Sequence, residues 1–212
     1  MEQVINKLKT ELLKTLPGQE IQYKMAPTGR VRYNPVQSAA LTYKPSAVMI
    51  LFCLDQEDRW FLPLTQRFSY NGAHSGQISL PGGKAEEGDL SLQDTALREC
   101  YEEIGIKEEV DVLGSLTNLY IPVSGYLVEP FVGICKIRDP LFVPHEREVK
   151  KIIKLYTSDL VNNAIIKNGI IQVEGTEQLG IETPYFGIEE HKIWGATAMI
   201  LNELKEIIRT IF

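Results

Sequence analysis

Residues 80–106 read LPGGKAEEGDLSLQDTALRECYEEIGI, a glycine turn followed by a helix-forming run that bears Glu99, Glu102 and Glu103. Positions 99, 102 and 103 are i, i+3 and i+4, so all three carboxylates project from one helical face. Like charges at that spacing destabilise an isolated helix by about 0.2–0.5 kcal/mol per pair. An oxygen-preferring divalent cation would turn that repulsion into attraction. The plainer reading of E-x-x-E-E is a solvated acidic face. Its neighbours argue against that reading.

Ser91 with Asp94 is a capping-box pattern, so the helix is expected to begin just after Ser91. Leu92, Ala96, Leu97, Cys100, Tyr101 and Ile104 supply an apolar side for packing, and Gly105 stands where a left-handed cap would end the helix. The acids then lie opposite or beside the buried stripe. Pro81-Gly82-Gly83 has no side chain to block a ligand, and its backbone groups are free to join a metal or phosphate site. Arg98 directly precedes the acids and is placed to pair with Glu102 at i+4.

In this order and spacing the residues resemble the Nudix box, G-x5-E-x7-R-E-U-x-E-E-x-G-U with U aliphatic. Gly83, Arg98, Glu99, Cys100 (loosely aliphatic), Glu102, Glu103, Gly105 and Ile106 match. The first acid is Asp89 rather than glutamate, and eight residues instead of seven separate it from Arg98. Upstream, Leu64-Thr65-Gln66-Arg67 and His74-Ser75-Gly76-Gln77-Ile78-Ser79-Leu80-Pro81-Gly82-Gly83 are similar to the signature that precedes the box in coenzyme A diphosphatases. Thr65, Arg67, Gly76, Pro81, Gly82 and Gly83 match it, and Leu80 replaces phenylalanine. Phe68 stands where a small residue is usual, and Gly72 where the signature has its second arginine. Met25-Ala26-Pro27, Val123–Val128 and Ile193–Ala198 extend the similarity over most of the chain.

The resemblance implies an α/β fold, a Nudix-type α/β/α sandwich with a mixed sheet and flanking N- and C-terminal helices. It also implies a metal-dependent hydrolase of a diphosphate-linked nucleotide, using Mg²⁺ or Mn²⁺. Glu99 and Glu103 are the expected principal metal ligands, joined by Glu102 and the Gly83 carbonyl. Glu99, Glu102, Glu103 and Arg98 form the expected catalytic set. The proton-accepting carboxylate is either a box glutamate or a later loop acid, Glu148 or Glu146 in Pro144-His145-Glu146-Arg147-Glu148. Arg67, Lys84, Gly82, Gly83 and Gln77 are the expected substrate contacts. His74 and His145 are further phosphate candidates, and Tyr126 and Phe131 candidates for an adenine or pantetheine pocket.

The whole chain fits this picture. Its 212 residues suit one domain with helical flanks: a core over about 45–160, an N-terminal helix and arm over 1–44, and a C-terminal helix over 197–212. With 44% hydrophobic and 24% charged residues it reads as a soluble globular protein. A net charge of −6 argues against a nucleic-acid footprint. Cys53, Cys100 and Cys135 lie in apolar runs, as buried thiols in a reducing compartment would. No signal peptide or membrane-length apolar run is visible, so a cytoplasmic location without membrane contact is the expectation.

Residues 2–16 have helical apolar spacing and read as a docking helix, since Glu2 and Glu11 share the polar face that a basic membrane anchor would need. Residues 17–45 read as loop. Strands are expected over 47–54, 60–65, 109–119, 126–137, 150–155 and 169–173. The expected partner is a small nucleotide of the coenzyme A type, cleaved to 3′,5′-ADP and (acyl)phosphopantetheine. ADP-ribose, dinucleotides or nucleoside triphosphates are the alternative substrates, and a non-catalytic nucleotide-binding regulator the alternative class. Oligomeric state is open, a homodimer being one option.

Overall fold

The computed structural model describes residues 1–32, 43–68, 76–106, 110–172 and 180–212. Two positions singled out by sequence, Gly72 and His74, lie outside the described residues. Helices α1 (Glu2–Leu12) and α2 (Gly18–Gln22) lead into strands β1 (Lys44–Leu54), β2 (Trp60–Arg67), β3 (Ile78–Ser79) and β4 (Gly82–Lys84). Helix α3 (Leu92–Ile104) follows, then β5 (Val110–Ser115), β6 (Leu119–Ile121), β7 (Tyr126–Arg138) and β8 (Val149–Tyr156). The chain ends with α4 (Thr157–Leu160), β9 (Ile166–Ile171), β10 (Ile181–Ile188), β11 (His191–Trp194) and α5 (Gly195–Ile208).

Among the described residues, eight strands make one sheet with the path β3-β2-β1-β7-β5; β4 pairs with β1, β6 with β7 and β8 with β2. The β1–β7 pairing is parallel and the others antiparallel, so the sheet is mixed. Strand β1 is apolar on both faces because both are covered. Ala47, Met49, Leu51 and Cys53 pack with Ala96, Cys100 and Ile104 of α3. Ile50 and Phe52, pointing the other way, pack with Leu8 of α1 and with Met199 and Leu201 of α5. The expected α/β/α layering follows from this alternation. Cys53, Cys100 and Cys135 are all buried in the α3-side core.

Several elements differ from expectation. The strand expected over 109–119 is split: β5 ends at Ser115, after a register shift between Val112 and Gly114, and β6 is separate. Residues 17–45 contain α2 and a 3₁₀ turn at Tyr23–Met25. A second sheet of order β11-β10-β9 packs beside α5. The buried Glu203 of α5 ties this side together, accepting hydrogen bonds from Gly18 N (3.0 Å), Thr117 Oγ1 (2.6 Å) and Gln22 Nε2 (2.8 Å). These donors satisfy a carboxylate that burial would otherwise make costly. Among the described residues, no helix is long and apolar enough to cross a membrane.

Candidate active site

Helix α3 is set by its ends. Ser91 is the N-cap, its Oγ accepting from Asp94 N at 3.2 Å and donating to Asp94 Oδ2 at 2.8 Å. Gly105 closes the helix at φ 80°, its N–H bonded to Tyr101 O at 2.8 Å. A side chain there would also run into Val143. The buried face differs from the apolar stripe read from sequence. Tyr101 is 53% exposed, whereas Glu103 is only 2% exposed. Positions 96, 100, 103 and 104 recur at i, i+4, i+7 and i+8, which places Glu103 on the core side.

Arg98 organises the acids. Its Nε and Nη2 grip Asp89 Oδ1 and Oδ2, each at 3.0 Å, and Nη1 reaches Glu99 Oε1 at 2.9 Å and Glu102 Oε2 at 3.1 Å. Nη2 also donates to Lys84 O at 3.0 Å. The bidentate bond explains how an aspartate one residue further away replaces the glutamate of the box pattern. Arg98, helped by Glu86 N and Thr95 against the cost of burial, holds the Asp89 carboxyl far below the usual carboxylate range. The helix is thereby tied to the turn carrying Gly83.

Glu103 faces β2. Thr65 Oγ1 donates to its Oε2 at 3.3 Å, and Arg67 Nη2 lies 3.5 Å from its Oε1. Burial, reinforced by the charges of Glu99 and Glu148 and opposed by Arg67 and Thr65, pushes the Glu103 carboxyl up to about 7. Burial raises Glu99 as well, with Glu102 and Glu148 adding to the effect and Arg98 opposing it. The two glycines are fitted differently. A Cβ on Gly83 would stand 2.3 Å from Glu99 Oε1, and one on Gly82 would stand 2.4 Å from Ala47 O. Gly83 O accepts from Ser46 Oγ at 2.7 Å, which aims that carbonyl.

The structure thus brings together Gly83, Arg98, Glu99, Glu102, Glu103 and Arg67. Glu102 is the most exposed of the three acids. Lys84 projects to solvent near Glu86 at 3.7 Å, and its backbone carbonyl, not its ammonium, meets Arg98. Gln77 supplies a backbone carbonyl to Arg67 N at 3.0 Å. The loop after β7 is fastened over the end of α3 by His145 N bonded to Glu103 O (3.1 Å) and Val143 N bonded to Ile104 O (3.0 Å). Glu148 on that loop is exposed but close enough for its charge to act on Glu99 and Glu103. Glu146 is exposed on the same loop. Phe131 packs in the α3-side core, whereas Tyr126 is half-buried under Lys44. Sequence reasoning did not assign site roles to Thr65, Ser46 or Asp89. Ser46 had one available signal, a hydroxyl directly before the apolar run 47–54 of β1.

The donor set suits a hard divalent cation. Four carboxylates (Asp89, Glu99, Glu102, Glu103) face two guanidiniums (Arg67, Arg98), leaving two negative charges in excess. All available ligand atoms are oxygens. The three helix acids do not converge on one point as they stand, because Arg98 lies against Glu99 and Glu102 while Glu103 turns to Arg67.

Comparison with known proteins agrees with this geometry. A family model described as NUDIX domain matches residues 43–159. A protein of Photorhabdus laumondii named "Uncharacterized Nudix hydrolase NudL" is 33% identical over 151 residues, covering 70% of this chain and 77% of that protein. One of the same name from Yersinia pestis is 36% identical over 146 residues, covering 68% and 71%. The crystal structure of a MutT/nudix family protein from Enterococcus faecalis superposes with a TM-score of 0.52 at 16% identity, covering 85% of this chain and 65% of that one, a likeness of fold. An acid helix locked by its arginine to a glycine turn, the family match over residues 43–159 and the relatives' identity lead to one conclusion: the chain belongs to the Nudix hydrolases and is a diphosphohydrolase dependent on divalent metal.

Proposed function

We propose that this enzyme cleaves the diphosphate of coenzyme A or its acyl thioesters, releasing 3′,5′-ADP and (acyl)phosphopantetheine, with Mg²⁺ or Mn²⁺. One observation supports this reading most. Thr65 and Arg67, matching residues of the upstream coenzyme A signature, both contact Glu103 of the box. The two motifs therefore act as one site.

In this reading Glu99, Glu103, Glu102 and the Gly83 carbonyl hold the metal. When bound, a divalent cation neutralises diphosphate oxygens and acidifies a water. The protein's own groups do the rest. Arg98 keeps Glu99 and Glu102 oriented while its grip on Asp89 fixes the turn. Arg67 is set to leave Glu103 for a substrate phosphate, since its planar fork suits two phosphate oxygens. Gly82 and Gly83 allow the backbone to approach those oxygens closely. Glu148 stands as the proton acceptor, carried by a loop bonded to Glu103's own carbonyl.

The test is a substrate panel of coenzyme A, acetyl-coenzyme A, ADP-ribose, NADH and diadenosine polyphosphates, with Mg²⁺ or Mn²⁺ and products resolved by chromatography. Highest kcat/KM on a coenzyme A species is the expected result. Preference for ADP-ribose over every coenzyme A species would overturn the substrate assignment while leaving the family chemistry intact.

A further inference from the structure

The β10–β11 hairpin ends in Glu189, Glu190 and His191, with Ile188 paired to His191 across the turn. One ligand atom from each of the three residues lies within 4.8 Å of the other two. His191 Nε2 is 3.2 Å from Glu190 Oε1. Two ligands held about 2.0 Å from one ion at the tetrahedral angle stand about 3.3 Å apart. The pair is therefore already at chelating separation.

A second observation is independent of the acids. The His191 side chain is only 8% exposed, and its Nε2 is shielded from solvent with no hydrogen-bond partner among the described residues. A buried polar nitrogen is rarely left this way. The nearby Glu190 carboxylate does not relieve it, since the 3.2 Å approach lacks hydrogen-bond geometry. Lys151 Nζ, 3.8 Å from Glu190 Oε1, is the cation an incoming ion would displace.

We propose that Glu189, Glu190 and His191 form a second divalent-cation site, of the zinc class, separate from the acid helix. One imidazole nitrogen with two carboxylates is a borderline donor set that suits zinc, whereas the all-oxygen acid helix suits magnesium or manganese. The scaffold is firm, because Phe186 and Ile193 of the same hairpin are fully buried in the α5-side core. Strand β11 also packs beside β3, which pairs with β2 next to Arg67.

The experiment uses the full chain carrying Glu99→Gln and Glu103→Gln, which silences the acid helix, and titrates Zn²⁺ by calorimetry with Co²⁺ as a spectroscopic reporter. Expected are one equivalent of Zn²⁺, a tetrahedral cobalt spectrum, and binding weakened at least about tenfold by Glu190→Gln. His191→Gln should abolish the Zn²⁺ binding and the cobalt spectrum. Glu189 and Glu190 are exposed, so their glutamine variants keep the question answerable even if His191→Gln does not fold. Absence of stoichiometric Zn²⁺ in the silenced protein, or unchanged affinity in both Glu189→Gln and Glu190→Gln, overturns the proposal.

Discussion

Adjacent glycines in the turn before α3 should fail in opposite ways when replaced by alanine. In Gly83→Ala the new methyl meets the end of a side chain, the Glu99 carboxylate, at 2.3 Å. Restoring an ordinary 3.4 Å contact moves that carboxylate by about 1 Å, which side-chain torsions can absorb without moving backbone. Stability should stay within about 1 kcal/mol of wild type, helped by the lower entropy of the unfolded chain. Activity is a different matter. Misplacing a catalytic group by about 1 Å costs on the order of 10²-fold, or about 2.7 kcal/mol of transition-state stabilisation. In Gly82→Ala the methyl meets backbone, Ala47 O at 2.4 Å and Val48 Cα at 2.6 Å, and the β1–β4 pairing must shift. Overpacking of that kind costs about 2 kcal/mol, a fall in Tm of about 4–8 °C for a chain this size. Thermal melts and initial rates on both variants give the answer. Gly83→Ala retaining more than a third of wild-type turnover, or Gly82→Ala melting with wild type, would refute the reasoning.

Other consequences follow from the same geometry. Arg98→Lys loses the fork that spans Asp89, Glu99 and Glu102, and chemical denaturation should show a loss of about 2 kcal/mol together with a drop in kcat. Glu103 lies near 7 in the metal-free protein, so protons compete with the cation; calorimetric Mn²⁺ affinity should rise by up to about tenfold per pH unit below pH 7, and Glu103→Gln should flatten that slope. Asp55 is buried, which disfavours its charge, but Arg59 (through N–H and guanidinium) and Glu57 N outweigh that and hold its carboxyl at about 2. Its folded pKa is depressed, so its contribution to stability is complete above pH 4 and is lost as pH falls toward 2; denaturation midpoints of wild type and Asp55→Asn should converge over that window. Glu148→Gln should lower kcat with KM little changed; an unchanged kcat would exclude it as proton acceptor.

What the sequence made legible was local. Ser91, Asp94 and Gly105 act through neighbours a few residues away, so α3 could be read with both ends placed. The layering was legible through the resemblance to the Nudix family, and β1, apolar on both faces, gives its physical reason. Glu103's partners were not legible, since Thr65 and Arg67 sit on β2, far from it in sequence. Strands β3 and β4 were missed because two or three residues hold no periodicity. Strand β10 contains Pro184 and Gly187, which argue locally against a strand, and it forms through pairing with β9 and β11 on the packed α5 side. The role of Asp89 needed three dimensions, for only the folded turn shows both of its oxygens meeting Arg98.

The most direct test of the central claim is the Mg²⁺-dependent rate of diphosphate cleavage of coenzyme A by wild type, Glu99→Gln and Glu103→Gln, each confirmed folded by its melt. Metal-dependent release of 3′,5′-ADP by wild type, reduced about 10³-fold or more in both variants, is the predicted result. Rates within tenfold of wild type in either variant would contradict the assignment of these acids as the metal-holding centre.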